Sequence, residues 1–317
     1  RSNSSKSGSG CHRIQNRRSL NVQSPGLSGA FPFLRDCIYL YPMQASDLNF
    51  SLHGKKLFFA SDFHLGAPDF QSSRERQARI IAWLDFIADE AAAIFLVGDI
   101  FDFWFEYKEV IPKGQLPFLA KLSQLRDRGI PILFFTGNHD LWMQDYFTQE
   151  LGIPVYTHPI EILVEGKKIL VGHGDGLGPG DPTYKVLKKV FTSPIAQWLF
   201  RWTHPDIGIS LARAWSGKSR ISNSSKDEQR FLGADEWLWA YCKEVEQSVP
   251  HDYYIFGHRH LPLQLPVGQS ATYFNLGEWV SQNTYLEMSV AEVKLLQFHA
   301  LPSPSCSPIA ADYGNKS

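Results

Sequence analysis

The chain has 317 residues, a formal net charge of −1 and 44% hydrophobic residues. That supplies a sizeable core, in one large domain with an insertion or in two domains. The charge balance excludes the global basic character that nucleic-acid binding draws on, so nucleic acid is not an expected partner.

Residues 1–50 are rich in Ser, Gly, Asn and Arg without helix or strand period, and read as a disordered extension. Arg35-Asp36 interrupts the one apolar candidate near Phe31 to Leu34, so no signal-peptide core is expected there. No apolar run reaches membrane-spanning length. Cys11, Cys37, Cys242 and Cys306 are scattered outside any CxxC pattern and are expected as reduced thiols of a cytosolic protein.

From Lys55 the pattern becomes regular. Lys56 to Ser61 reads as a strand, and Arg74 to Glu90 as a helix with Ile80, Trp83, Leu84 and Ile87 on one stripe. Ala93 to Val97 is an apolar strand ending at Gly98-Asp99-Ile100-Phe101-Asp102. Leu116 to Arg128 is helical and Gly129 stops it. Ile130 to Phe135 is a buried strand ending at Gly137-Asn138-His139-Asp140, and a helix is expected from Trp142 to Leu151. The alternation predicts a largely parallel sheet with helices on its faces.

After Gly152, Ile160 to Val164 and Lys168 to Val171 form an expected hairpin that ends at Gly172-His173-Gly174-Asp175. Tyr253 to Phe256 leads into Gly257-His258-Arg259-His260. Short strands follow near Leu263 to Val267, Ala271 to Leu276, Thr284 to Ser289 and Val293 to Phe298, so the second half is expected to be a mainly antiparallel sheet. Residues 51–180 and 250–300 thus read as one domain. Residues 181–249 read as an inserted helical cap, and 301–317 as a loose tail rich in Pro and Ser.

Within the cap, Tyr184 to Trp202 carries an aromatic stripe with Phe191, Trp198, Leu199 and Trp202, broken at Pro194. Lys185, Lys188, Lys189 and Arg201 interleave with it, a composition suited to an anionic membrane surface. Asp206 is expected to cap a short helix reaching Trp215, a polar basic loop covers 216–226, and Asp227 to Val245 is again helical.

The ends of the apolar strands concentrate one chemistry. Asp62, His64, Asp99, Asn138, His173, His258 and His260 close five segments, each with an oxygen or imidazole nitrogen donor. Alternate residues of a strand point to one face, which would bring Asp62 and His64 together. Seven donors exceed what one ion needs and suit two divalent ions sharing a carboxylate, with Asp99 the expected bridge. Mn²⁺ is the expected activating ion, although affinity alone favours Zn²⁺ over it. Singly, each residue has a plainer reading as a turn or capping residue.

Asp-x-His, Gly-Asp-x-x-Asp, Gly-Asn-His-Asp, Gly-His and Gly-His-x-His together resemble the signature of the calcineurin-like metallophosphoesterases. The resemblance covers Lys55 to about Phe298. It implies an α/β fold, a four-layer αββα metallophosphoesterase sandwich with the inserted helical cap. It also implies that Asp62, His64, Asp99 and His260 hold one ion and Asp99, Asn138, His173 and His258 the other. By the same resemblance His139 contacts the substrate phosphate near the leaving group, and Asp140 is its orienting partner.

Ser61-Asp62-Phe63-His64-Leu65-Gly66, Gly98 to Trp104, His173 to Leu177 and Asn223-Ser224-Ser225-Lys226 resemble one branch of that family. Its members hydrolyse the pyrophosphate of UDP-2,3-diacylglucosamine in lipid A synthesis, and the Bacteroidetes-type form is nearest. This implies UDP-2,3-diacylglucosamine as substrate and a peripheral place on the cytoplasmic face of the inner membrane. Asp181, Ser219, Asn223 and Lys226 become candidate substrate contacts. Proteobacterial members carry Arg where His139 stands, and Gly178-Pro179-Gly180-Asp181 departs from their Cys-Thr-Asp-Asp. Other readings are a different phosphodiester or nucleotide-sugar hydrolase of the family, or a non-catalytic scaffold on the same fold.

Overall fold

Apolar residues of alternating direction build most of the strands, and the two sides of each strand feed different cores. The computed structural model describes residues 48–179, 182–210 and 230–299. All of these lie within the compact unit Tyr41–Ser317. Among them, two six-stranded sheets form. The first runs β12(Val293–Gln297), β11(Thr284–Met288), β2(Lys56–Ala60), β3(Ala91–Val97), β4(Ile132–Phe135) and β5(Val155–Tyr156). The second runs β1(Asn49–Phe50), β6(Ile160–Val164), β7(Lys167–Gly172), β8(Tyr253–Phe256), β10(Ala271–Leu276) and β9(Pro262–Val267).

The sheets stack as the strand period requires. Leu57 and Phe59 of β2 point inward with Phe95 and Val97 of β3, meeting Ile162, Val171, Ile255 and Phe274 of the second sheet. Phe58 and Ala60 point the other way, onto Ile80, Trp83 and Leu84 of α1(Phe70–Ile87) and Leu122 of α2(Leu116–Asp127). On the far side, Leu170, Tyr254 and Tyr273 pack against Leu238 and Cys242 of a helix, α6(Trp237–Ser248). Helix, sheet, sheet and helix make the four layers of the αββα sandwich.

Several expectations are corrected. The second sheet is mixed, not mainly antiparallel. β1 with β6, β7 with β8 and β8 with β10 are parallel, and only β6–β7 and β10–β9 are antiparallel. The terminal strands β11 and β12 join the first sheet, where β11 pairs antiparallel to β2. A strand's hydrophobic alternation shows which face is buried, not which sheet it enters. The helix expected from Trp142 shrinks to α3(Tyr146–Gln149). The Glu106 carboxylate, buried from a distant loop, accepts the N–H groups of Gln144, Asp145 and Tyr146 at 2.8–3.0 Å, and so holds the approach in non-helical form.

The aromatic stretch expected to form part of a cap breaks at Pro194 as expected, into α4(Pro182–Phe191) and α5(Pro194–Arg201). Pro194 opens α5, where its missing N–H is harmless. Residues 205–210 are helical, so Asp206 lies inside the first turn and is not its cap; His204 precedes it. The end expected at Trp215 lies outside the described residues. The helix expected from Asp227 starts only at Trp237, after a short 3₁₀ turn at Gly233–Asp235. The aromatic stripe splits. Phe200 packs on Phe103, Phe105 and Trp142, and Phe191 on Trp142, while Ile195, Trp198, Leu199 and Trp202 are exposed. Cys242 is buried as a free thiol; the other cysteines lie outside the described residues.

Candidate metal centre

Parallel strands end at the same edge, so the loops that follow them meet there. Asp62 and His64 follow β2, Asp99 follows β3, and Asn138, His139 and Asp140 follow β4, three adjacent parallel strands. His173 follows β7, and His258 and His260 follow β8, a parallel pair in the facing sheet.

The pleat does not aim these side chains. β2 ends at Ala60, and Asp62, His64, Asp99, His258 and His260 all take left-handed backbone, with φ of 57°, 45°, 51°, 70° and 51°. Such φ costs a non-glycine residue about 1–2 kcal/mol and persists where surroundings over-determine it. Here backbone bonds do so. Asp62 N–H donates to the Gly98 carbonyl at 3.0 Å, His64 N–H to Asp99 at 2.9 Å, and Gly257 N–H to His173 at 3.0 Å. Arg76, buried on α1, donates to the carbonyls of Phe63, His64 and Ala67 at 2.8–3.1 Å. The glycine of Gly-Asn-His-Asp is a matter of space, since a Cβ on Gly137 would run into the Asp99 carboxylate.

Two donor groups share Asp99, and a third joins His64, Asp102 and His139. One atom each from Asp62, His64, Asp99 and His260 lie within 4.8 Å of one another, and so do atoms from Asp99, His173 and His258. Asp99 belongs to both. In the first, Nε2 of His64 and His260 face each other at 3.1 Å, with Asp62 Oδ1 3.1 Å from His260 Nε2. In the second, His173 Nε2 lies 3.4 Å from Asp99 Oδ2 and 3.4 Å from Asn138 Oδ1. His173 Nδ1 is 2.9 Å from the Val97 carbonyl, which leaves Nε2 for the centre. Converging imidazole nitrogens and buried carboxylate oxygens fit a divalent cation of the Mn²⁺, Fe²⁺ or Zn²⁺ type.

The electrostatics agree. Burial pushes the Asp62 and Asp99 carboxyls up, but His260 beside Asp62 and His173 beside Asp99 reverse this, and both lie below the usual range, Asp99 well below. Burial pulls His173 down, yet Asp99, Asp62 and Asp175 hold its proton to about 10. Burial and the neighbouring His173 push His258 to about 4. Without a cation, the proton on His173 offsets the buried carboxylates. Binding at neutral pH must displace it, so affinity is expected to rise with pH, by up to about tenfold per unit below the pKa of His173. Calorimetry with Mn²⁺ in two buffers of different protonation enthalpy measures the proton release. Equal heats in both buffers would contradict it.

His139 sits beside the first group, its ring centroid 4.9 Å from that of His64. Its Nδ1 lies 3.0 Å from the Asp102 carbonyl, and its backbone N–H donates to Asp99 Oδ1 at 2.8 Å. Asp140 follows His139 in the same loop. Its buried carboxylate accepts the N–H groups of Gly137, Ile100 and Phe101 at 2.6–3.3 Å, and so fastens the β4 loop to the β3 loop. The His139 ring contacts the Asp102 carbonyl through Nδ1. Burial, aided by Asp99, pushes Asp140 up to about 7.

Sequence reasoning missed Arg76 and Glu106. Arg76 had a signal, an arginine four residues before Ile80 on the buried stripe of α1. Asp181, Ser219, Asn223 and Lys226 lie outside the described residues.

Among known proteins, the chain is 37% identical over 242 residues to the UDP-2,3-diacylglucosamine hydrolase of Porphyromonas gingivalis, covering 73% of this chain and 92% of that protein. It is 28% identical over 249 residues to the protein of the same name from Yersinia pestis, covering 76% and 98%. The model of the calcineurin-like phosphoesterase family matches residues 55–262, a stretch that holds both donor groups and His139. A match of that extent, on that geometry, makes the chain a member of the calcineurin-like phosphoesterase family.

Proposed function

We propose that the chain hydrolyses the pyrophosphate of UDP-2,3-diacylglucosamine to UMP and 2,3-diacylglucosamine 1-phosphate, with two divalent cations and Mn²⁺ as the activating one. The observation that carries the reading is Asp99, shared by two donor groups that the facing ends of the two sheets bring together. The substrate comes from the name of the relatives, above all the Porphyromonas protein. Asp62, His64, Asp99 and His260 would hold one ion, and Asp99, Asn138, His173 and His258 the other. When bound, such a pair supplies Lewis-acid charge to phosphoryl oxygens and acidifies water.

The chain's own residues do the rest. His139, whose Nδ1–H donates to the Asp102 carbonyl, would donate from Nε2 to a phosphoryl or leaving oxygen in its imidazolium form as charge develops. Asp140 keeps the His139 loop in register with Asp99. Asp181, Ser219, Asn223 and Lys226 are the proposed contacts to the sugar phosphate. The test is direct. Pure chain loaded with Mn²⁺ is incubated with UDP-2,3-diacylglucosamine and the products identified. UMP and the lipid phosphate are expected; UDP, or no turnover by the loaded protein, would defeat the reading.

A lipid substrate also needs a surface to arrive from. No helix among the described residues is long and apolar enough to cross a membrane. The exposed Ile195, Trp198, Leu199 and Trp202 of the cap support contact with a membrane surface instead. The basic residues contribute less than their number suggests. Lys188 is paired with Asp175 at 2.6 Å, Lys185 donates to the Gly178 carbonyl and Arg201 to Gln144, so of the four only Lys189 is exposed. The double variant Trp198→Ser/Trp202→Ser is therefore expected to lose about tenfold or more of its binding to phosphatidylglycerol vesicles. Vesicle sedimentation measures this, and hydrolysis of a small soluble phosphodiester should be unchanged.

A further inference from the structure

Between the two histidines of Gly-His-x-His stands a residue that faces away from them. Arg259 is 2% exposed. Its Nε donates to Glu236 Oε1 at 2.6 Å, and its Nη2 to Glu236 Oε2 at 3.3 Å and to the Arg230 carbonyl at 3.2 Å. The guanidinium lies 4.4 Å from the ring centroid of Trp237. Glu236 is fully buried and immediately precedes α6.

We propose that Arg259 and Glu236 are a positioning pair. They lock the loop bearing His258 and His260 onto the start of α6 and thereby set how tightly the chain holds divalent cations. The inference rests on the metal reading above. Both neighbours of Arg259 are in left-handed conformation, which the chain holds only under external constraint. The backbone supplies part of it, through Arg259 N–H to the Gly257 carbonyl at 2.8 Å and His258 N–H to Asp62 Oδ2 at 3.1 Å. The side chain supplies the rest. A planar fork engaging both oxygens of one carboxylate fixes direction as well as distance, which a lysine cannot reproduce. Turning the Arg259 side chain would turn the peptide planes on either side, and with them the two imidazoles.

The chain offers its own control. At the opposite end of β8, His251 Nε2 lies 3.1 Å from Glu161 Oε2, with His251 also buried. That pair touches the same strand but not the donor groups. Mn²⁺ is titrated into the full metal-stripped chain by calorimetry, and its electron paramagnetic resonance is recorded, for wild type, Arg259→Met, Arg259→Lys, Glu236→Gln, His251→Gln and the double variant Arg259→Met/Glu236→Leu. Arg259→Met, Arg259→Lys and Glu236→Gln are expected to weaken Mn²⁺ binding by about tenfold or more and to change the spectrum. His251→Gln should lower Tm yet keep Kd within about twofold, as expected of a pair that acts on stability alone.

The double variant separates geometry from stability, because an apolar pair can replace a buried ion pair without loss of stability. If it regains Tm while Mn²⁺ binding stays weak, the positioning role stands. Wild-type affinity in the double variant, or in Glu236→Gln should the double variant fail to fold, overturns it. A wild-type chain that takes up no Mn²⁺ overturns the metal reading together with this one, whereas normal uptake by every variant overturns only the inference.

Discussion

Asp99→Ala is expected to lower kcat/KM by about a thousandfold or more, a loss of ~4 kcal/mol of transition-state stabilisation, and to leave the chain folded but metal-poor. Asp99 is 1% exposed and the one residue common to both donor groups. Its removal takes a ligand from each side at once and frees the His139 N–H that it accepts. An unmet N–H, where buried, costs about 1–3 kcal/mol, small beside the three cores that pack the sheets and helices. Asp99→Asn is the sharper variant. It keeps the shape and an acceptor for His139 while removing the charge, so metal loss without loss of Tm is expected. Metal content by mass spectrometry and turnover on the lipid substrate are the measurements. Near-normal turnover by Asp99→Ala, shown to be metal-depleted, would sink the two-ion mechanism.

His139→Ala is expected to reduce kcat by about a hundredfold to a thousandfold, with KM changed far less. The ring meets the Asp102 carbonyl and stands at the edge of the first donor group, where it would contact charge that grows only during reaction. Asp140→Asn should act differently. Its carboxylate serves three backbone N–H groups and no reacting atom, so metal affinity and Tm should fall together with kcat. Oxygen-18 water is expected to label UMP, which places attack on the phosphorus attached to uridine. Label in the lipid phosphate would place it on the other phosphorus and give His139 a different leaving oxygen to serve.

The sequence alone determined where the chemistry sits and what kind it is. Apolar runs of strand length that end in Asp-x-His, Gly-Asp, Gly-Asn-His-Asp, Gly-His and Gly-His-x-His are legible because a buried strand and a polar donor at its end are both local patterns. The break of the aromatic stretch at Pro194 was legible for the same reason, a local constraint on one backbone N–H. Tertiary structure decided how those ends are aimed and joined. The left-handed φ at Asp62, His64, Asp99, His258 and His260 has no residue signature, since none is glycine. It is imposed by hydrogen bonds from other strands and by Arg76, whose partners are carbonyls at positions 63, 64 and 67. The seating of β11 beside β2, the contact of His139 with the Asp102 carbonyl, and the split of the aromatic stripe into a packed Phe200 and exposed Trp198 and Trp202 share that origin. Each depends on which distant surface reaches the residue, and periodicity along one segment carries no information about that.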